Sequence, residues 1–188
     1  MNLLIPAAGI GRRMGSSRNK LLLTLLGKSL LSWTLEAAVK SRHISWIGII
    51  GQPIDFPDFQ KNISDFSTDK HIELIEGGAT RQESVYKGLQ ALPSASQRVL
   101  IHDGARCLAT PELLDRCAKE ILKCPGIIAS VPVKDTIKVV DPSGLIQDTP
   151  DRRNLWAAQT PQGFDIRLLK ECHEKGRQLG WEVTDDAA

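Results

Sequence analysis

The sequence predicts one α/β domain with a mostly parallel sheet and a protruding β-hairpin arm. Three observations carry this. Short aliphatic runs alternate with amphipathic segments from the N-terminus onward, which is the signature of βαβ units. The 188 residues, 41% apolar and 24% charged, suffice to bury about 70% of the extended surface around a single core without disulfide or metal staples. After Pro132 the rhythm changes to a charged, alternating stretch broken by a turn signal.

The first strand is expected over Asn2–Ala7. Its apolar run, Leu3 to Ala8, is too short for a signal sequence and has no basic residue before it, so it reads as a buried strand. Further strands are expected at Trp46–Ile50, Ile72–Ile75, Arg98–His102 and Ile127–Val131. Thr80-Arg81-Gln82-Glu83 is a capping box that starts a helix running to about Leu92. Thr110-Pro111 sets N-cap and N1 for another helix, whose Leu113, Leu114, Cys117, Ala118, Ile121 and Leu122 fall on one face and are expected in the core. Residues 52–70 form a polar connection with room for a short helix.

From Val133 to Leu155, Thr136-Ile137-Lys138-Val139-Val140 alternates ahead of the turn signal Asp141-Pro142-Ser143-Gly144, so this stretch is the arm. An isolated hairpin buries little of its own surface, which implies a partner, and the expectation is a homodimer formed through the arm. Near the end, Trp181-Glu182-Val183 reads as strand-like before Thr184-Asp185-Asp186-Ala187.

Charge and composition exclude several classes. With 24 basic and 22 acidic side chains and a net charge of +2, the chain lacks both the imbalance of a disordered segment and the basic footprint of a nucleic-acid binder. No run approaches the length of a membrane span. The four cysteines, Cys107, Cys117, Cys124 and Cys172, form no C-x-x-C pair, so a reduced, cytoplasmic chain is expected.

The strongest local signal is Pro6-Ala7-Ala8-Gly9-Ile10-Gly11-Arg12-Arg13-Met14-Gly15, directly after the first strand and ahead of Lys20. Small residues let backbone approach a ligand, and successive N–H groups form an anion-binding concavity. The spacing is one residue longer than the dinucleotide fingerprint, and no Walker motif is present. A glycine loop carrying its own cations is left. Arg13 and Lys20 suit the stabilisation of charge developing on a transferred phosphorus; solvated loop charges are the alternative.

With the loop's P-A-A-G-x-G-x-R-M pattern and Lys20, the chain resembles the sugar nucleotidyltransferases. Further motifs are Gly77-Gly78-Ala79-Thr80-Arg81-Gln82-Glu83-Ser84-Val85, His102-Asp103-Gly104-Ala105-Arg106, Pro132-Val133-Lys134-Asp135-Thr136-Ile137-Lys138, Asp151-Arg152, Leu155-Trp156-Ala157-Ala158-Gln159-Thr160-Pro161-Gln162-Gly163-Phe164 and Thr184-Asp185-Asp186-Ala187. In this order they resemble the 2-C-methyl-D-erythritol 4-phosphate cytidylyltransferase family over the whole chain.

The resemblance implies a Rossmann-like sheet of the nucleotidyltransferase type, in one domain spanning 1–188 with the arm at about 133–155. It implies that the phosphate of methylerythritol phosphate attacks the α-phosphate of CTP with Mg²⁺ present, releasing pyrophosphate. An anionic nucleophile needs no general base, so alignment and charge stabilisation suffice. By the resemblance, Arg13 and Lys20 act at the α-phosphate, and Ala7, Ala8, Gly78 and Ser84 read the cytosine edge. Gly9, Gly11 and Gly104 belong to the same nucleotide site. Asp103 faces the ribose or the metal; a turn or capping aspartate is its other reading. Arg106 supports the site. Arg152 holds the phosphate of the second substrate, and Thr136 and Thr160 line that substrate's pocket, with the arm acting on the neighbouring subunit. His102 reads as structural.

The chain departs from the family pattern in two motifs. Asn19-Lys20-Leu21 stands where the family usually has P-K-Q, and His102-Asp103-Gly104-Ala105-Arg106-Cys107 where it has H-D-A-A-R-P. The family also closes with an N-I-K-[VI]-T segment whose lysine contacts substrate phosphate. That segment is not in these 188 residues, so a missing C-terminal part is expected. The alternatives kept open are a ribitol-phosphate or other sugar-phosphate cytidylyltransferase and a catalytically silent CTP-binding homologue.

Overall fold

The structure is a computed structural model that describes residues 1–9, 19–181 and 183–187. Gly11 and Arg13 of the glycine loop lie outside the described residues.

The expected parallel strands form, and the reason is burial on both faces. β1 (Asn2–Pro6) is followed by a small hairpin, β2 (Thr24–Leu25) and β3 (Lys28–Ser29), and by α1 (Leu30–Lys40). Then come β4 (Trp46–Gly51), α2 (Phe56–Ser64), β5 (His71–Glu76), α3 (Arg81–Ala91), β6 (Arg98–Ile101), α4 (Pro111–Glu120) and β7 (Gly126–Pro132). The arm strands β8 (Val139–Val140) and β9 (Ile146–Asp148), the long β10 (Trp156–Asp165) and α5 (Ile166–Leu179) complete the order.

The main sheet runs β5-β4-β1-β6-β10-β7. β5, β4, β1 and β6 pair in parallel, whereas β10 is antiparallel to both of its neighbours. Alternate side chains of β1 feed two cores, as a pleated strand requires. Leu3 and Ile5 pack with Leu31 and Leu35 of α1, Phe59 of α2 and Leu114 of α4. Leu4 packs on the opposite face with Val85 and Leu89 of α3 and Leu169 of α5. The architecture is therefore three layers, helices on both faces of one sheet.

The capping expectations hold in geometry. The Thr80 hydroxyl accepts from the Glu83 amide, and the Thr110 hydroxyl accepts from the Leu113 amide. The Glu83 carboxylate reaches back to the Ala79 amide at 2.8 Å. The turn signal of the arm is also realised, with Asp141 Oδ1 accepting from the amides of Ser143 and Leu145. Both arm strands are exposed along their length.

Two expectations are corrected, and one strand forms that the sequence reading does not place. Leu122 is not core: it is 68% exposed beyond the end of α4 at Glu120, whereas Ile121 at the helix C-cap is fully buried. Among residues 181 and 183–187 no strand forms. α5 ends at Gly180 in the left-handed conformation that glycine tolerates, and the chain then turns back so that Asp186 meets Arg81. Finally, residues 156–165 form a central strand that apolar patterning does not announce. Its proline is tolerated because pairing with β7 breaks between Ala158 and Gln162, and pairing with β6 begins only at Gln162.

Leu35 is completely buried between α1 and the sheet. Leu35→Ala should cost about 2–5 kcal/mol in urea unfolding, while Leu122→Ala should stay within about 0.5 kcal/mol of the parent.

Candidate active site

β1 lies between strands reached by opposite routes, with β4 and β5 on one side and β6 on the other. In an open α/β sheet this reversal of strand order opens a crevice at the carboxyl ends. The segments that leave those ends are Ala7–Gly9 after β1, Gly77–Gly78 after β5 and His102–Arg106 after β6. They carry most of the residues expected to bind the nucleotide.

Backbone bonds tie the segments together. The Ala7 amide donates to the Ile50 carbonyl at 2.7 Å, the Gly77 amide to the Gly51 carbonyl at 2.8 Å, and the His102 amide to the Leu4 carbonyl at 2.9 Å. Glycine is required at Gly77, where a Cβ would stand 2.7 Å from that of Ala8, whereas a Cβ at Gly104 would meet only the flexible end of the Leu21 side chain at 2.8 Å. Ala8 and Gly77 are thereby held in contact. Ala7 is buried, Ala8 is half-buried and Gly9 is exposed.

Ser84 is buried in the first turn of α3. Its hydroxyl donates to the Thr80 carbonyl at 2.8 Å and accepts from the Gly78 amide at 2.9 Å. One lone pair is left, so Ser84 chiefly shapes the Gly78 turn.

Asp103 begins the segment after β6 and is about one-third exposed. Its backbone amide donates to the Thr160 hydroxyl at 3.1 Å. Arg81 reaches Oδ1 and Arg106 reaches Oδ2, each at 3.3 Å. Arg106 also bonds the Gln159 side chain. Thr160 is buried on β10, and its hydroxyl bonds His102 Nδ1 and accepts from the Asp103 amide.

His102 is buried and structural in its contacts. Nε2 lies 3.3 Å from the Arg106 carbonyl, which can only accept, so Nε2 carries the proton and Nδ1 accepts from Thr160 at 2.9 Å. Burial pulls its pKa down to about 4.

Sequence reasoning missed the residue behind this cluster. Asp186 is nearly inaccessible and accepts from Arg81 at 2.6 Å. Burial pushes its pKa up, while the Arg81 guanidinium pulls the other way. The neighbouring Asp185 accepts from Gln162 at 3.0 Å. Arg81 lies 105 positions from Asp186, a pairing that no local pattern announces.

Lys20 is half-buried at the start of a short 3-10 turn, Lys20–Leu22, beside the end of β1. Arg152 and Thr136 sit apart from the strand-end cluster. Both are exposed on the arm, where Arg152 donates to the Lys134 carbonyl at 2.6 Å. Among the described residues, no hydrogen bond or ion pair joins the arm to Asp103 or Lys20.

The donor set bears on a metal. Among the described residues no three His, Cys, Asp or Glu side chains group as a cage. Asp103 stands as one carboxylate at a strand end. That fits Mg²⁺, which keeps several waters and is held by one or two carboxylates together with substrate phosphates.

The family model described as IspD, 2-C-methyl-D-erythritol 4-phosphate cytidylyltransferase, matches residues 1–188. The chain belongs to this cytidylyltransferase family. A curated relative of that name from Trichodesmium erythraeum is 92% identical over the whole chain, which covers 83% of the relative. The one from Crocosphaera subtropica is 69% identical, again over the whole chain and 82% of the relative. A solved structure of 4-diphosphocytidyl-2C-methyl-D-erythritol synthase from Anaerococcus prevotii superposes with a TM-score of 0.88 at 30% identity, covering 99% of this chain and 78% of that one. The cytidylyltransferase fold is thus present with its strand-end motifs in place. No helix among the described residues is long and apolar enough to cross a membrane.

Because the folded His102 titrates below an ordinary histidine, the unfolded chain takes up its proton first as pH falls. Its contribution to stability is intact above about 6.5 and is lost as pH drops toward about 4, by about 3 kcal/mol over the window. NMR of the imidazole resonances should find His102 titrating near 4; a midpoint in the usual histidine range would contradict the assignment.

Proposed function

We propose that the chain joins CTP and 2-C-methyl-D-erythritol 4-phosphate, giving the CDP-alcohol and pyrophosphate in isoprenoid biosynthesis. The observation that carries this reading is family membership across all 188 residues. The strand-end geometry supports it, because the motif residues Ala7, Ala8, Gly78 and Asp103 converge on one crevice.

In the reaction a phosphate oxygen of the methylerythritol phosphate forms a bond to the α-phosphorus of CTP. The bond from that phosphorus to the β-phosphate oxygen breaks, and pyrophosphate leaves with the electron pair. The nucleophile is already anionic, so the buried, neutral His102 is not needed as a base. The backbone of Ala7, Ala8 and Gly78 presents fixed donors and acceptors to the cytosine edge, with Ser84 setting the Gly78 turn and offering its last lone pair. Gly9 and Gly11 would let the backbone approach the nucleotide, with Gly104 in the segment that carries Asp103. Asp103, steadied by Thr160, Arg81 and Arg106, faces the ribose or a magnesium ion.

Bound Mg²⁺ would supply charge neutralisation on the triphosphate, with Asp103 as its protein ligand. Lys20 and Arg13 would stabilise the charge developing at the transferred phosphorus. Arg152 on the arm would bind the phosphate of the second substrate, with Thr136 beside it. An exposed arm suits action in a neighbouring subunit's site, so the enzyme is read as a cytoplasmic homodimer. Val139, Val140, Leu145 and Ile146 are each 48–66% exposed along it, an apolar strip that a partner would cover.

Pyrophosphate release should require CTP, methylerythritol phosphate and Mg²⁺ together; release that ignores the methylerythritol phosphate would refute the assignment. Lys20→Ala and Arg13→Ala should each lower kcat about 10²-fold or more, whereas Arg152→Ala should chiefly raise KM for methylerythritol phosphate. Light scattering at micromolar protein should return the mass of a dimer, and monomer alone would remove the arm's role in trans.

A further inference from the structure

We propose that Asn19 and Asp55 are positioning residues for Lys20. The inference rests on the reading of Lys20 as the cation that stabilises the transferring phosphorus.

Asn19 is 2% exposed, a level of burial that an amide tolerates only when its polar atoms are bonded. Its Nδ2 donates to the Ala7 carbonyl at 2.7 Å and to Asp55 Oδ2 at 2.8 Å. Its Oδ1 accepts from the Leu21 amide at 3.0 Å. The backbone carbonyl of Asn19 accepts from the Leu22 amide, and that of Lys20 from the Leu23 amide. The side chain therefore binds the end of β1, the connection after β4 and the residue just past Lys20.

Filling a core would need only an apolar side chain. Three directed bonds do something else: they fix the orientation of the backbone on both sides of one lysine. Leu21 completes the clamp, since it is itself buried and packs where a Cβ on Gly104 would sit. Lys20 is thus tied to the Ala7 strand end and, through Leu21, to the segment that carries Asp103.

Asp55 decides which way the amide faces. A carboxylate accepts only, so it selects Nδ2 and leaves Oδ1 for the Leu21 amide. Asp55 comes from the 3-10 turn Pro53–Asp55 directly after β4, whose Ile50 carbonyl already holds Ala7.

The test is a double-mutant cycle on the full chain, read as kcat and KM for CTP in Asn19→Ala, Asp55→Ala, Asp55→Asn, Lys20→Ala and the Asn19→Ala/Lys20→Ala pair. Asn19→Ala should lower kcat about tenfold or more, the size of effect that sub-ångström to ångström misplacement produces. KM for CTP should change less than about twofold, as for an interaction expressed in the transition state. Asp55→Ala should act in the same direction, and Asp55→Asn, which keeps an oxygen acceptor, should recover most of the loss. In the Lys20→Ala background, Asn19→Ala should cost nothing further, because the residue it positions is gone.

Additive losses in the double variant, or a raised KM at unchanged kcat, would overturn the proposal by making the role one of general structure. If Asn19→Ala does not fold, the same cycle run with Asp55→Ala decides. Wild-type kcat in Lys20→Ala would defeat the reading of Lys20 and this proposal with it. An impaired Lys20→Ala beside an unimpaired Asn19→Ala would defeat the positioning claim alone.

Discussion

The parallel pairing of β1 on both of its edges is the constraint from which the rest of the structure follows. Its five residues register against Trp46 to Ile50 on one side, and its first three against Val99 to Ile101 on the other. This puts three chain exits at the same edge of the sheet. Because backbone polar groups lose their strand partners there, the exits bond back to neighbouring strands, the Ala7, Gly77 and His102 amides donating to the Ile50, Gly51 and Leu4 carbonyls. The crevice is thus a consequence of strand order, and small residues at its floor follow from how close the exits come.

A second level of organisation surrounds Asp103. Two hydroxyls with no spare donor, Ser84 and Thr160, hold backbone on either side of the crevice, and two guanidinium groups hold the Asp103 carboxylate. Arg81 is in turn held by the buried Asp186, so the turn after α5 reaches Asp103 through one side chain. Replacing Asp186 alone would leave a partly buried guanidinium with half its charge partners, the usual reason that breaking such a pair is costlier than never having it. The Asp103 cluster is therefore built from distant parts of the chain, with β10 and the turn after α5 joining the segment after β6.

What could be read from the sequence divides along a physical line. Parallel strands buried on both faces are continuous aliphatic runs, so β1, β4 and β6 were legible to within a residue or two, and the caps at Thr80 and Thr110 were legible because their partners lie three residues away. β10 was not, since Gln, Thr, Pro and Gly fill its centre and only tertiary pairing makes it a strand. Among site residues, the motifs identified Asp103, Gly78, Ser84 and Thr160 as important. They did not reveal that two of these hydroxyls point at backbone and imidazole. That depends on rotamers set by neighbours distant in sequence. Arg81 with Asp186, and Asn19 with Asp55, were invisible for the same reason: each is a contact between elements, and Asn19 read locally was only a departure from a motif. Leu122 erred in the other direction, because periodicity continues in the sequence after the helix has ended.

The central claim is that the carboxyl-end crevice between β1 and β6 receives the nucleotide. Backbone amide NMR during titration with CTP and Mg²⁺ tests it most directly. The account predicts that the amides of Ala7, Ala8, Gly78, Asp103 and Gly104 shift with a common saturation curve, while those of Asn2, Trp46 and Arg98 at the opposite ends of the same strands stay still. Shifts confined to that opposite edge, or to the arm, would contradict it.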